Sequence, residues 1–429
     1  MTDSESTDAE VTGAQHTGAE LPRQDSTDLG AAAVALTQAL VRLPTFVTGD
    51  LEDVETPAAH LIADLMRSFG WIVTVEEVAA GRPNVVGVIH GETPGRTLMF
   101  EGHVDVVTPG DSENWSFPPF SGDIVDGRLQ GRGSADMKAG VAAMIYAARG
   151  AQLAGFDGRI VVAVLADEEG MMVGAKHFAG TELAASGIDG VIVGEPEGGE
   201  VCAVAKGAIR LRVDLLGAMA HGAMPHKGRN PLPTMGSFLM GLAELERQVA
   251  ESVGAHPHLG RFYLTPTVVT AGDPSQVNVI PASASVYLDI RTIPGIGHNG
   301  LLHLITRLAQ QITADAGLTA VVTVIDDRPP VDTPEDAPVV RALLEAHEAK
   351  TGGAAVLGGV PGTTDGTILT RDAGLQTVVY GPGGKWIAHM QDEYVDVADI
   401  LTCRAVYQEA ARIFLSSGDL AGRNERTDS

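Results

Sequence analysis

Continuous apolar runs of strand length constrain this chain more than any other feature. Residues 160–166 and 189–194 read as uninterrupted apolar segments, the pattern of strands buried on both faces. Such strands need helices on either side, so the expected class is α/β: a mainly parallel sheet with helices on both faces. Helical patterns alternate with further short strands. Helices are predicted at 29–43 and 54–69, the second opening after Thr56-Pro57 as a cap followed by proline. Strands are predicted near 71–78, 84–90 and 96–101, with a small-residue helix from about Met137 to Ala148.

After Val204 the texture changes. Residues 209–215 alternate, Ile-Arg-Leu-Arg-Val-Asp-Leu, which gives a strand with one wet face. A helix near 232–251, strands near 264–271 and 284–291, and a helix near 300–316 follow. These form a strand–helix–strand–strand–helix–strand unit inserted in the chain. From about residue 325 the first texture returns and runs to a terminal helix ending near Leu415. At 429 residues the chain exceeds one ordinary hydrophobic core, which agrees with two domains. The expected division is a catalytic domain at 28–205 and 323–417, interrupted by a smaller α+β lid and dimerisation domain at 206–322. Disordered tails are expected at 1–27 (acidic) and 418–429.

A formal net charge of −26 excludes nucleic acid and anionic membrane as natural partners. The acidic N-terminal stretch lacks the basic start and apolar run of a signal peptide, and no run is long enough to span a bilayer. Cys202 and Cys403 show no metal-ligand spacing and read as buried free thiols of a reducing cytosol. A cytoplasmic protein is expected.

The chemistry-bearing residues follow the apolar runs. Leu98-Met99-Phe100-Glu101-Gly102-His103-Val104-Asp105 ends in His-x-Asp; alternation puts His103 and Asp105 on one side, where the carboxylate can orient the imidazole. Asp136 lies in a Gly-rich loop entering a helix, as a helix cap or as a carboxylate bridging two cations. The run 160–166 ends in Asp167-Glu168-Glu169-Gly170, and acids at the mouth of an apolar strand are costly unless cations or donors compensate. Glu195 follows a further strand, and His389 follows 377–380. Taken singly, each is an ordinary loop residue. As a set, His103, Asp136, Glu169, Glu195 and His389 sit where parallel sheets carry their sites, at the carboxyl ends of strands. Two imidazoles and three carboxylates suit two divalent cations, zinc first, with cobalt or manganese as alternatives.

The segments EGHVDVV, GRGSADMKAG, DEEG, GEP, AHGAMPHKGRNPL, NVIPASASVYLDIR and GTTDG are specific in combination. In that order, from about residue 30 to 415, the chain resembles a family of dinuclear-zinc metallopeptidases and deacylases. That family includes acetylornithine deacetylase, succinyl-diaminopimelate desuccinylase, aminoacylase and the bacterial glutamate carboxypeptidases, and its fold is zinc-aminopeptidase-like. The resemblance implies that His103 and Glu195 bind one metal and Glu169 and His389 the other. Asp136 would bridge them, with a cis peptide to Met137. Glu168 would be the general base and Asp105 the orienter of His103. His221 would stabilise the oxyanion, from its own subunit or across a dimer. Arg291 and Asn278 would hold substrate carboxylate or backbone groups, and Thr363 and Thr364 an anion; Arg291 reads equally as an exposed strand charge. Met171 and Met172 follow DEEG where many relatives carry Gly or Ser, which weakens any transfer of substrate identity.

The resulting expectation is a homodimer, paired through the exposed edge of the lid, that hydrolyses the amide bond of a small carboxylate-bearing substrate. An N-acyl amino acid is the leading substrate, with water activated by the two cations. A dipeptidase or glutamate-type carboxypeptidase is the close alternative. A non-catalytic binding protein on the same fold is the alternative of another class, and a hydrolytic deaminase a third reading.

Overall fold

The computed structural model describes residues 28–46 and 54–416; the tails expected at 1–27 and 418–429 lie outside the described residues. Among the described residues, nine strands form the large sheet. Its main path runs Ile72–Ala79, Arg82–His90, Arg159–Val164, Thr97–Gly102, Gly190–Val193, Thr377–Val379, Val201–Ala205 and Val331–Asp332, with Leu357–Val360 beside Val201–Ala205. The four central strands, Arg159–Val164 to Thr377–Val379, are mutually parallel. Antiparallel pairing is confined to the flanks, beginning with the hairpin Ile72–His90.

Alternation of apolar side chains explains the layers. Leu98 and Phe100 join one core cluster with the helices Leu29–Val41, Ala139–Ala154, Pro338–Thr351 and Val397–Ser416. Met99, between them, joins another with the helices Val173–Ala179 and Asp365–Ala373 on the opposite face. Both sides of Thr97–Gly102 are therefore buried, as an uninterrupted apolar run requires.

The inserted unit holds a four-stranded antiparallel sheet ordered Tyr263–Ala271, Ser283–Thr292, Gly207–Leu216, Thr319–Arg328. Ile209, Leu211, Val213 and Leu215 pack with the helices Pro231–Val253 and His298–Asp315. The alternate residues, Arg210 and Arg212 among them, face outward. The last strand runs to Arg328, which pairs with Ala208 after a register shift between Val324 and Asp326.

Two local expectations change. Glu55, not Thr56, occupies the cap position of the helix Thr56–Ser68, with Pro57 in its first turn. The Glu55 side chain makes no cap bond; it is buried and held 2.8 Å from Arg82. The helix expected from Met137 begins at Ala139, since Asp136 and Met137 have non-helical backbone angles, and the peptide between them is cis.

Candidate metal centre

Four adjacent parallel strands each deliver side chains to the same sheet edge. His103 follows Thr97–Gly102, Glu168 and Glu169 follow Arg159–Val164, Glu195 follows Gly190–Val193, and His389 lies beyond Thr377–Val379. Asp136 arrives from the turn before the helix Ala139–Ala154. A β-carbon on Gly140 would lie 2.2 Å from the Gly194 carbonyl oxygen, so only glycine lets that helix approach the strand end carrying Glu195.

The side chains converge. His103 Nε2 stands 3.3 Å from a carboxylate oxygen of Asp136 and 3.3 Å from one of Glu195, buried and hydrogen-bonded to neither. His389 Nε2 lies 3.2 Å from the other Asp136 oxygen and 2.8 Å from Glu169. Two donor triads result, His103–Asp136–Glu195 and Asp136–Glu169–His389, each with ligand atoms within 4.8 Å of one another. Asp136 is common to both. An orphaned buried nitrogen facing two carboxylates is the arrangement a divalent cation would complete, and mixed imidazole and carboxylate donors suit zinc-like ions. The residues fit the implied metals.

His103 lies just past its strand, so strand alternation does not set its orientation. Its Nδ1 is 2.9 Å from the carbonyl oxygen of Asp105 and 3.3 Å from the Asp105 carboxylate. A carbonyl only accepts, so Nδ1 carries the proton and Nε2 faces the cation position. The Asp105 carboxylate does more than the sequence suggested. It accepts the backbone N–H groups of Glu168 at 3.2 Å and Glu169 at 3.1 Å, tying the acidic loop to the histidine. Asp167 and His389 hold left-handed backbone conformations, φ 68° and 65°. Such conformations are costly for side-chain-bearing residues and need fixing by their surroundings. Asp167 is fixed by Arg82 at 2.7 Å.

Electrostatics agree with a cation centre. Burial pushes Glu168 well above the usual carboxylate range, and burial, reinforced by Asp136, pushes Glu195 up to about 8. The hydrogen bonds to Asp136 and then Glu169 push His389 up to about 10. Burial opposes a charge on His103, yet the carboxylates of Glu195, Asp105 and Asp136 around it hold its pKa well above the usual histidine value. Asp136 is held well below the carboxylate range by both histidines, against its own burial. Without metal, the same carboxylates that would hold the cations favour a proton on each imidazole instead.

A pH prediction follows. Groups with raised pKa stabilise the fold below their unfolded values and lose that contribution as pH rises through the folded value. The metal-free protein should thus lose thermal stability from about pH 5 through 8, as Glu195 titrates, and further toward 10 with His389. Metal-loaded protein should show a flatter profile, and loading at pH 7 should release protons. Calorimetry in buffers of different ionisation enthalpy checks the release; proton uptake would contradict it.

A cavity of about 370 Å³ opens over these residues, lined on the side of the inserted unit by Arg210, Arg291 and Arg328 and elsewhere by Thr363, Thr364 and Lys385. Asp289 braces Arg291 at 2.7 Å through Nε and 3.2 Å through Nη2. The Thr364 hydroxyl oxygen is taken by the Gly366 N–H as cap of the helix Asp365–Ala373, and Thr363 receives the Arg328 guanidinium at 3.4 Å. A further acid–thiol cluster, Glu197, Glu200 and Cys202, already surrounds a cation: the Lys385 ammonium lies 2.7 Å from each glutamate. His221 and Asn278 do not line the cavity. They sit together on the inserted unit, where the Asn278 carbonyl accepts from the Gly222 N–H at 2.6 Å, and His221 is exposed. Arg210, Arg328 and Lys385 were not anticipated as lining residues; for Arg210, the outward register of its alternating strand was the available signal. Cys202 and Cys403 are free and buried.

Fold and site together define a metal-dependent hydrolase of amide bonds, built on an α/β sheet whose edge carries a dinuclear donor set. The chain belongs to peptidase family M20/M25/M40, whose model matches residues 99–413. It is 31% identical over 390 residues to a succinyl-diaminopimelate desuccinylase of Methylorubrum extorquens, covering 87% of this chain and 96% of that one. The Rhodospirillum centenum enzyme of the same name is 31% identical, covering 87% and 95%. Among solved structures, the chain is similar to an M20 family metallo-carboxypeptidase from Sulfolobus solfataricus, with TM-score 0.72, 17% identity and coverage of 90% and 99%. It is likewise similar to a dinuclear metal-binding M20 peptidase from Bacillus subtilis, with TM-score 0.70, 17% identity and coverage of 91% and 99%. Among the described residues no helix is long and apolar enough to cross a membrane.

Proposed function

We propose that the chain is a deacylase of N-acyl amino acids that uses two zinc ions, one held by His103 and Glu195, the other by Glu169 and His389, with Asp136 shared. One observation carries this reading: Asp136, Glu169, Glu195 and His389 of the two donor triads, the buried carboxylate of Glu168 and the braced guanidinium of Arg291 line a single cavity, with His103 buried behind Asp136 and Glu195. The desuccinylase relatives, similar over nearly their whole length, support the choice of an acyl amino acid.

When bound, the cations acidify a water and polarise the scissile carbonyl. The chain's own residues handle position and protons. Arg291 grips the substrate carboxylate with the donors that Asp289 leaves free. Glu168, 3.9 Å from His103 Nε2, takes a proton from the attacking water and delivers it to the leaving nitrogen as the C–N bond breaks. Asp105 keeps the Glu168–Glu169 loop and His103 in register. Thr363 adds a hydroxyl to the anion-binding wall, and Thr364 sets the helix N-terminus behind it.

The test is a panel of N-succinyl and N-acetyl amino acids against dipeptides. Turnover of the acylated compounds is expected, and turnover confined to dipeptides would remove the deacylase reading. In the same panel Arg291→Ala should raise KM about 10- to 100-fold with a smaller change in kcat, since charge-assisted hydrogen bonds are worth about 1.5–3 kcal/mol. An unchanged KM would detach Arg291 from the substrate.

Assembly belongs to the same proposal. The lid edge strand Tyr263–Ala271 is exposed from Thr265 onward, with Val268 and Val269 about half accessible. Pairing two such edges across a two-fold axis would cover them and bring His221 and Asn278 of one subunit toward the cavity of the other. Sedimentation should show a species of two 44.5 kDa chains, and a fully active monomer would contradict it. The free, buried cysteines support a cytoplasmic setting.

A further inference from the structure

Arg132 and Glu393 form an ion pair with 2.5 Å between Nη1 and Oε2, and both residues are almost fully buried, at 2% and 1% exposure. Neither touches the cavity. Each instead reaches a loop that presents a ligand of the second donor triad. The other Glu393 oxygen accepts the backbone N–H of Ala135 at 3.0 Å and of Asp136 at 3.2 Å, gripping the turn that carries the shared carboxylate. Arg132 Nη2 donates to the carbonyl oxygen of His389 at 3.3 Å. The Gly131 N–H, next to Arg132, donates to the Glu393 carbonyl at 2.9 Å, so the two segments are laced together from both sides.

The two cation positions do not depend equally on this lacing. His103 and Glu195 follow buried central strands directly, and Asp105 holds the imidazole independently. His389 has no such anchor. Its side chain is 52% exposed and its backbone is left-handed, a conformation the surroundings must impose. A buried ion pair is also a poor way to gain stability, because desolvating both charges offsets their attraction. Its return here lies in geometry: one carboxylate fixes Asp136 while its partner guanidinium fixes His389, at a set separation.

We propose that the Arg132–Glu393 pair is the positioning unit of the second cation site, Asp136–Glu169–His389, and that it makes the centre dinuclear. The proposal rests on the metal assignment and is independent of which amide is cleaved.

Zinc titration of full-length metal-free protein, by calorimetry and by ion content after desalting, tests it. Wild type should bind two ions. Glu393→Gln should weaken the ion held by His389 about 10- to 100-fold, the usual effect of losing a partner that orients a ligand, and the ion held by His103 distinctly less, because Asp136 serves both but His103 is anchored separately by Asp105. Arg132→Met combined with Glu393→Leu removes both charges together, so neither is left buried and unpaired; the same unequal loss is expected, in protein whose cooperative melting shows that it folds. Equal weakening of both ions, or two ions at wild-type affinity in either variant, would overturn the proposal. Wild-type protein binding fewer than two ions would overturn the metal centre itself, a different result from loss confined to the variants.

Discussion

Glu168→Gln should leave both metal ions in place and lower kcat about 10²- to 10⁴-fold, the range supplied by a positioned general base. Glutamine keeps the shape of the side chain, and the backbone N–H of residue 168 still bonds to Asp105, so the loop and the ligand Glu169 stay where they are. Only the capacity to accept and return a proton is lost. Burial already pushes this carboxyl well above the usual range, which makes it a stronger proton acceptor than an exposed glutamate. Steady-state kinetics with ion content measured on the same sample decide the matter. Wild-type rates in a fully loaded variant would transfer the proton work elsewhere and sink the assigned mechanism.

Asp136→Ala should have the larger effect on metal. Among the described residues, Asp136 is the carboxylate common to both donor triads, 3.3 Å from His103 and 3.2 Å from His389. Removing a partner that merely orients a ligand costs about 10- to 100-fold in metal affinity, so removing the shared ligand should cost more than about 100-fold at each position. Ion content should fall at both positions and activity should fall with it. The variant also frees two imidazoles from the carboxylate that raises their pKa, so His389 should titrate lower than in wild type. Retention of two ions would mean that the triads do not share a ligand.

The layered sheet and the strand-end acids were legible because one physical cause produces both. A strand buried on both faces must be apolar throughout, so its polar continuation marks the sheet edge, as at Ala166-Asp167 and Val193-Gly194-Glu195. What escaped depends on contacts distant in sequence. Glu393 lies 261 residues from Arg132 and 258 from Ala135, and nothing local in His389-Met390-Gln391-Asp392-Glu393 distinguishes it from a surface acid. Thr56 read as a cap because Thr-Pro is a common helix opening; the buried Glu55–Arg82 contact moved the boundary by one residue. The pairing of His103 with Asp105 was foreseen, but through side-chain alternation along a strand that in fact ends at Gly102. His221 and Asn278 carry the right residue types in the right order, yet within one chain they stay on the inserted unit and do not line the cavity; pattern alone does not fix where an inserted unit places its side chains.

Diffraction from crystals soaked in zinc, with anomalous maps at the zinc absorption edge, addresses the metal centre directly. Two peaks are expected within about 2.0–2.2 Å of their donor atoms, one among His103, Asp136 and Glu195, the other among Asp136, Glu169 and His389. A single peak, or peaks lying away from these five side chains, would contradict it.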